Sequence, residues 1–217
     1  MRKITLLSAS ILVLGAASAF AAPENVFNPA ATVIMAPARS VVGGPRNFLA
    51  NPNFDTPSAP GWVVNHHDHP GDGVEGGGGQ TAAVGWTSWV AAPGPGDVGS
   101  EVVPSTLTRG KMIHVKINGT GAGLVQTALA QNTGPEKAYL CTWVYVARGR
   151  VGIGAGNGGN SGLSAYSSTT GKWERLETRN SVSPANEVII YGDPGSEFFV
   201  ENVVFSDVWP PNSCEPR

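Results

Sequence analysis

Between residues 111 and 118 apolar and polar positions alternate, with Ile113, Val115 and Ile117 on one face and Met112, His114 and Lys116 on the other. Period two over that length predicts a half-buried strand. Residues 139–146 are apolar on both faces, the pattern of a strand covered on both sides. Segments 151–153, 173–178, 187–191 and 198–205 read as further strands, each bounded by Gly, Pro, Asn or Ser. No apolar period of 3.6 residues persists anywhere, so helices are not expected. The connecting segments 68–80, 92–104 and 152–162 are rich in Gly or Pro and read as loops. Short strands punctuated in this way predict an all-β fold, a β-sandwich of the jelly-roll kind.

Composition sharpens that picture. The 217 residues include 29 Gly and 17 Pro, and only 14% are charged, too turn-rich and charge-poor for a helical bundle or coiled coil. Net charge is −2 and no basic run occurs, which argues against a nucleic-acid partner. The N-terminus changes the compartment. Arg2 and Lys3 precede an apolar core from Ile4 to Leu14, and small residues follow at 17–22. That is a signal peptide, residues 1–21, with cleavage expected after Ala21. Its core is shorter than the roughly 20 residues of a spanning helix. A secreted or periplasmic protein of net charge −4 would remain.

Residues 22–45 hold four prolines and one apolar run, Val33–Met35, and form either a linker or an N-terminal edge strand. Residues 46–209 make one domain, and 210–217 a C-terminal tail. Cys141 and Cys214 are the two cysteines. In an oxidising compartment an even count favours a disulfide pinning the tail to the sheet. The alternative is a buried thiol and a loose end.

The segment Asn47-Phe48-Leu49-Ala50-Asn51-Pro52-Asn53-Phe54-Asp55, followed by Gly61-Trp62, resembles the opening of the jelly-roll carbohydrate-binding modules attached to cellulases and xylanases. Those modules share a galactose-binding-like fold. Later landmarks follow in order: Met112–Ile117 with Gly123–Gln126, Tyr139–Val144, Gly171–Glu174 and Phe198–Val203. The resemblance spans about residues 46–209 and implies polysaccharide or surface-glycan binding. It also implies a structural calcium ion held by Asp55 and Glu201, although Glu201 is longer than the usual Asp and Asn202 is neutral. Calcium takes six to eight oxygens, so loop carbonyls would complete the shell. Gln126 matches a position that hydrogen-bonds sugar, while Trp62 and Trp173 match positions in the core.

Sugar rings present an apolar C–H face that packs on aromatic rings. Trp86 and Trp89, on a segment flanked by Gly-rich loops, are the first platform candidates. Trp143 and Tyr145 share one strand face, and periodicity leaves open whether that face is core or groove. Three of the four histidines lie in His66-His67-Asp68-His69. In an extended segment His67 and His69 share a side. They could make a weak surface metal site or line a groove, and a solvated loop is the simpler reading. No G-x-S-x-G, H-E-x-x-H or C-x-x-C occurs, so no catalytic residue is named. The reading is a secreted, non-catalytic glycan-binding protein. Its alternatives are a structural or adhesive envelope protein and a small secreted hydrolase or lyase that uses the histidine loop.

Overall fold

The computed structural model describes residues 47–67, 79–90, 95–127, 138–156, 163–180, 187–206 and 214–215. The expected signal peptide, the 22–45 segment and His69 lie outside them.

The described residues form two antiparallel sheets and no α-helix. Strands β1 (Val63–His67), β3 (Gly96–Pro104), β4 (Lys111–Gly119), β6 (Ala138–Arg148), β9 (Trp173–Asn180) and β11 (Glu197–Ser206) make a six-stranded sheet. Its order is β1-β3-β4-β11-β6-β9. Strands β2 (Thr87–Val90), β5 (Ala122–Thr127), β7 (Val151–Gly156), β8 (Leu163–Tyr166) and β10 (Glu187–Gly192) make the second sheet, in the order β2-β5-β10-β7-β8. The fold is a β-sandwich jelly roll. Alternation along the strands supplies its core. Ile113, Val115 and Ile117 of β4, Val144 and Val146 of β6, and Phe198 and Val200 of β11 pack against Leu124, Ile153, Val188 and Ile190 of the other sheet.

Two segments expected as loops are strands in part. Gly96–Pro104 pairs with β4 along its whole length. Its glycines have structural roles: a Cβ added at Gly99 would stand 3.2 Å from a ring carbon of Trp62, so Gly99 is the floor on which that indole rests. In β7, Val151, Ile153 and Ala155 point into the core. Gly152 and Gly154 alternate with them, and Gly152 lies in register between Tyr191 and Tyr166. Glycine hides such strands: every second residue of β7 lacks a side chain, and in β3 Gly96 and Gly99 break up the alternation.

The opening motif is explained by hydrogen bonding. Asn47 Nδ2 donates to Val203 O at 2.8 Å, and Asn47 Oδ1 accepts from Phe205 N at 3.1 Å, so one side chain imitates a strand neighbour for β11. Asn51 takes a left-handed conformation (φ 46°), and its amide bridges Thr56 and Val84. Phe54 is fully buried against Trp86, with ring centroids 5.4 Å apart. Gln126 closes the arrangement. It accepts from Ala50 N at 2.8 Å and donates to Ala50 O at 3.0 Å and Gly85 O at 2.7 Å.

Gln126→Leu should therefore strand two carbonyls and one N–H in an apolar setting. The expected loss is about 2–3 kcal/mol, read as a lower urea midpoint at unchanged slope.

Candidate functional site

The outer face of the six-stranded sheet carries a row of rings set by strand register. His114 on β4 is paired with Phe199 on β11. Phe199 is paired with Tyr145 on β6, and Tyr145 with Trp173 on β9. Each of these side chains points away from the core because its strand neighbours, such as Ile113, Val115, Phe198, Val200 and Val144, point in. Trp62, just before β1, adds a fifth ring at the other end.

The five rings touch in sequence. Trp62 meets His114 edge-on at 4.9 Å, and His114 stacks on Phe199 at 4.1 Å and 14°. Phe199 meets Tyr145 at 5.9 Å, and Tyr145 meets Trp173 at 5.8 Å, both edge-to-face. From β3 to β9 the row crosses four strand spacings, about 19 Å. At the β9 end Thr106, Met112, Tyr145, Trp173 and Phe199 line a cavity of about 380 Å³. The β3–β4 turn forms one wall, since Trp173 Nε1 donates to Thr106 Oγ1 at 3.2 Å. The other end is polar. His114 lies between Glu101 and Glu197, and Lys116 reaches Glu197 Oε1 at 3.3 Å while lying 5.0 Å over the Trp62 ring. Burial alone would raise the Glu197 carboxyl, but hydrogen bonds and charge from His114 and Lys116 outweigh it and lower its pKa.

The residues expected to bind ligand are divided among several places. Tyr145 is in the row. Trp143, on the same strand face, lies under the C-terminal tail. Cys141 and Cys214 form a disulfide, Trp143 Nε1 donates to Cys214 O at 2.6 Å, and Glu215 accepts from Arg175 at 2.6 Å. Trp86 is fully buried in the core, contrary to its expected platform role, because it fills the space beneath Phe54. Gln126 is also internal, its amide spent on main-chain groups. Trp89 lies 5.8 Å from Tyr191 on the second sheet, so the core separates it from Tyr145. His67 is buried, with Nε2 3.2 Å from Ser88 Oγ. Burial and the neighbouring His66 lower its pKa, against the opposing pull of Asp97. Trp62, expected in the core, is 41% exposed, and Trp173 lines the cavity.

The residues present fit the expected calcium site poorly. Both carboxylate oxygens of Glu201 accept hydroxyls, from Ser105 and Thr108. Asp55 is exposed, and its main-chain oxygen accepts from Lys111 Nζ at 3.2 Å. Among the described residues no group of three or more His, Cys, Asp or Glu could hold a metal ion. No step below runs through a metal.

Of the five rings, Trp62, His114, Phe199 and Trp173 are those that sequence reasoning missed as site residues. The alternation at 111–118 did place Met112, His114 and Lys116 together on one face; His114 is in the row, and Met112 and Lys116 border it.

No protein-family profile matches the chain, and no curated protein matches it. Solved structures do, and they are mostly jelly-roll carbohydrate-binding modules. One is the Clostridium thermocellum endo-1,4-β-D-xylanase 10B, its CBM22-1 and GH10 modules complexed with xylohexaose. It is 11% identical with a TM-score of 0.43, over 57% of this chain and 26% of that one. A family 11 carbohydrate-binding module from the same organism, in complex with a β-1,3-1,4-mixed-linked tetrasaccharide, is 14% identical. Its TM-score is 0.39, over 69% of this chain and 96% of that one. The enzymatically active domain of bacteriophage CBA120 tailspike protein 4 is 13% identical with a TM-score of 0.42, over 74% and 21%. This chain thus spans about a quarter of the xylanase chain.

Two outcomes follow from the site's geometry. The disulfide joins residues 73 apart in sequence, and its reduction should cost about 2–4 kcal/mol. It should also release the tail from Trp143, read as easier acrylamide quenching of tryptophan fluorescence. Glu197, and Glu174 held by hydrogen bonds from Ser168 and Thr169, both have lowered folded-state pKa values. Their contribution is complete above the ordinary carboxylate range and is lost as pH falls through the lowered values. Urea midpoints measured from neutral pH downwards should drop, and the drop should shrink in Glu197→Gln and Glu174→Gln.

Proposed function

We propose that this protein is a secreted, non-catalytic glycan-binding protein that seats a neutral polysaccharide chain across the outer face of its six-stranded sheet. The observation that carries the reading is the five-ring row ending in the cavity at Tyr145 and Trp173. Ring faces and edges offer apolar packing to the C–H faces of sugar rings. The carboxylates of Glu101 and Glu197 and the hydroxyl of Thr106 offer partners to sugar hydroxyls. A row about 19 Å long suits several consecutive sugar units and not a single one. Carbohydrate-binding modules among the solved structures of similar fold support the reading. Secretion rests on the N-terminal signal pattern.

Affinity electrophoresis in gels containing xylan, mixed-linkage β-glucan, mannan or pectin tests it. At least one polymer should retard the protein. Tyr145→Ala and Trp173→Ala should each weaken that retardation about five- to twentyfold, while Trp89→Ala should leave it unchanged. No retardation by any polymer, or full retardation of the Tyr145→Ala, Trp173→Ala double variant, overturns the reading.

A further inference from the structure

Strands β8 and β9 lie in different sheets, and the segment joining them, residues 167–172, borders a cavity of about 260 Å³. Gly149, Arg150, Ser167, Ser168, Thr169 and Thr170 line it. Hydrogen bonds fix its walls. Glu174 accepts from Ser168 N at 2.9 Å and Ser168 Oγ at 2.7 Å, and from Thr169 N and Oγ1 at 3.3 Å each. Ser167 N donates to Val151 O at 2.7 Å, and Ser167 Oγ accepts from Val151 N at 3.0 Å. The Arg150 main chain is held by Ser196, whose hydroxyl accepts from Arg150 N at 3.3 Å and donates to Arg150 O at 3.2 Å. The Arg150 side chain is half exposed yet fixed. Its Nε donates to Asp193 Oδ2 at 2.9 Å, and its guanidinium lies 4.7 Å over the Tyr166 ring. Among the described residues its two Nη groups take no partner. Tyr166 is 43% exposed, so its ring supports that cation and is not core material.

Charge decides what such a cavity takes. Asp193 balances Arg150, and Glu174 adds a negative charge on the same loop. A free anion therefore meets no net positive field. Donors and acceptors stand close together instead. The Nη groups of Arg150 donate, while the Asp193 carboxylate and the hydroxyl oxygens of Ser168 and Thr169 keep lone pairs that accept. A vicinal diol matches that set, because each of its hydroxyls both donates and accepts. The volume lies below the roughly 300–1,000 Å³ of pockets for drug-sized ligands, so it suits one sugar unit and not a chain.

We propose that this cavity is a second carbohydrate site, in which Arg150 and the Ser168 and Thr169 hydroxyls hold the vicinal diol of a single neutral sugar unit. Asp193 and Tyr166 orient the guanidinium for that contact. The site does not depend on the sheet-face reading above. Tyr166 ends β8 of the five-stranded sheet, whereas Tyr145 and the rest of the ring row belong to the other sheet or its approach. Lysine would not replace Arg150, since an ammonium carries neither the planar fork nor the ring stacking.

Titration with the methyl glycosides of xylose, glucose, galactose and mannose, each to about 50 mM, tests the proposal. Binding is read from the arginine Nε–H signals in NMR and from saturation transfer to the sugar protons. At least one glycoside should shift the Arg150 signal saturably. Arg150→Lys should weaken that binding about tenfold, the worth of one charge-assisted hydrogen bond. Tyr166→Leu, which leaves the guanidinium unsupported, should weaken it about threefold, and it carries the comparison if Arg150→Lys does not fold. Methyl glucuronide should bind more weakly than methyl glucoside. The Tyr145→Ala, Trp173→Ala double variant should bind the glycoside as the wild type does. The proposal is overturned if all four glycosides leave Arg150 unshifted, if the glucuronide outbinds the glucoside, or if binding survives in the folded Arg150 and Tyr166 variants. Glycoside binding lost in the Tyr145, Trp173 double variant overturns it as well, by placing the sugar on the ring row. If no polymer is retarded while a glycoside still shifts Arg150, the sheet-face reading fails and this site stands.

Discussion

Strand β11 lies between β4 and β6, and its register with both of them makes a site out of scattered residues. Phe199 stands opposite His114 on one side and Tyr145 on the other. A slip of one residue in either pairing would turn Phe199 into the core and Phe198 out of it. The register is protected a short way along the strand. Asn202 adopts a left-handed conformation (φ 53°) where the pairing with β6 shifts between Glu201 and Val204. That bulge absorbs one extra residue after the ring row and not within it. Beyond the bulge Asn47 bonds Val203 and Phe205, so the opening segment closes over β11 where regular pairing has been disturbed.

The same outer face divides into regions of different character. At the β9 end the lining is apolar, and the β3–β4 turn and C-terminal tail reach over the neighbouring sheet surface. Glu201 is tied to that turn by Ser105 and Thr108, and Trp143 to the tail by Cys214. At the β3 end two carboxylates, an imidazole and an ammonium hold one another through hydrogen bonds and an ion pair. Aromatic rings run through both regions, so the face offers continuous packing with polar partners concentrated at one end. The second sheet has an aromatic row of its own, Trp89, Tyr191 and Tyr166, spaced by Gly123 and Gly152 in register. The core separates the two rows, and residues drawn from both cannot meet one ligand.

Much of the strand layout was legible because period-two alternation is a local property. Strands β4, β6, β9, β10 and β11 match the expected segments to within a few residues. Strand β3, and the second half of β7 beyond the expected 151–153, were hidden in segments read as glycine-rich loops; their glycines have roles set across strands, Gly99 beneath Trp62 and Gly152 beside Tyr191 and Tyr166. The site was less legible. Trp86 and Gln126 have the chemistry of sugar-binding residues, yet one fills the core under Phe54 and the other satisfies the main chain of Ala50 and Gly85. Trp62 and Trp173 went the other way, from expected core to exposed row. Tyr145 was found, but the rings that make it useful come from three other strands and from the segment before β1.

Alternation within each strand determined which side chains share a face. It grouped Met112 with His114 and Lys116, and Trp143 with Tyr145, whatever the rest of the chain does. It could not say which face meets the second sheet, because that depends on what packs there. The packing of β5, β7 and β10 against Ile113, Val115, Val144 and Phe198 decided that the other face is open. Register then placed His114, Phe199, Tyr145 and Trp173 side by side from positions up to 85 residues apart in sequence. A contact of that kind is a property of strand pairing, and only the folded sheet contains it.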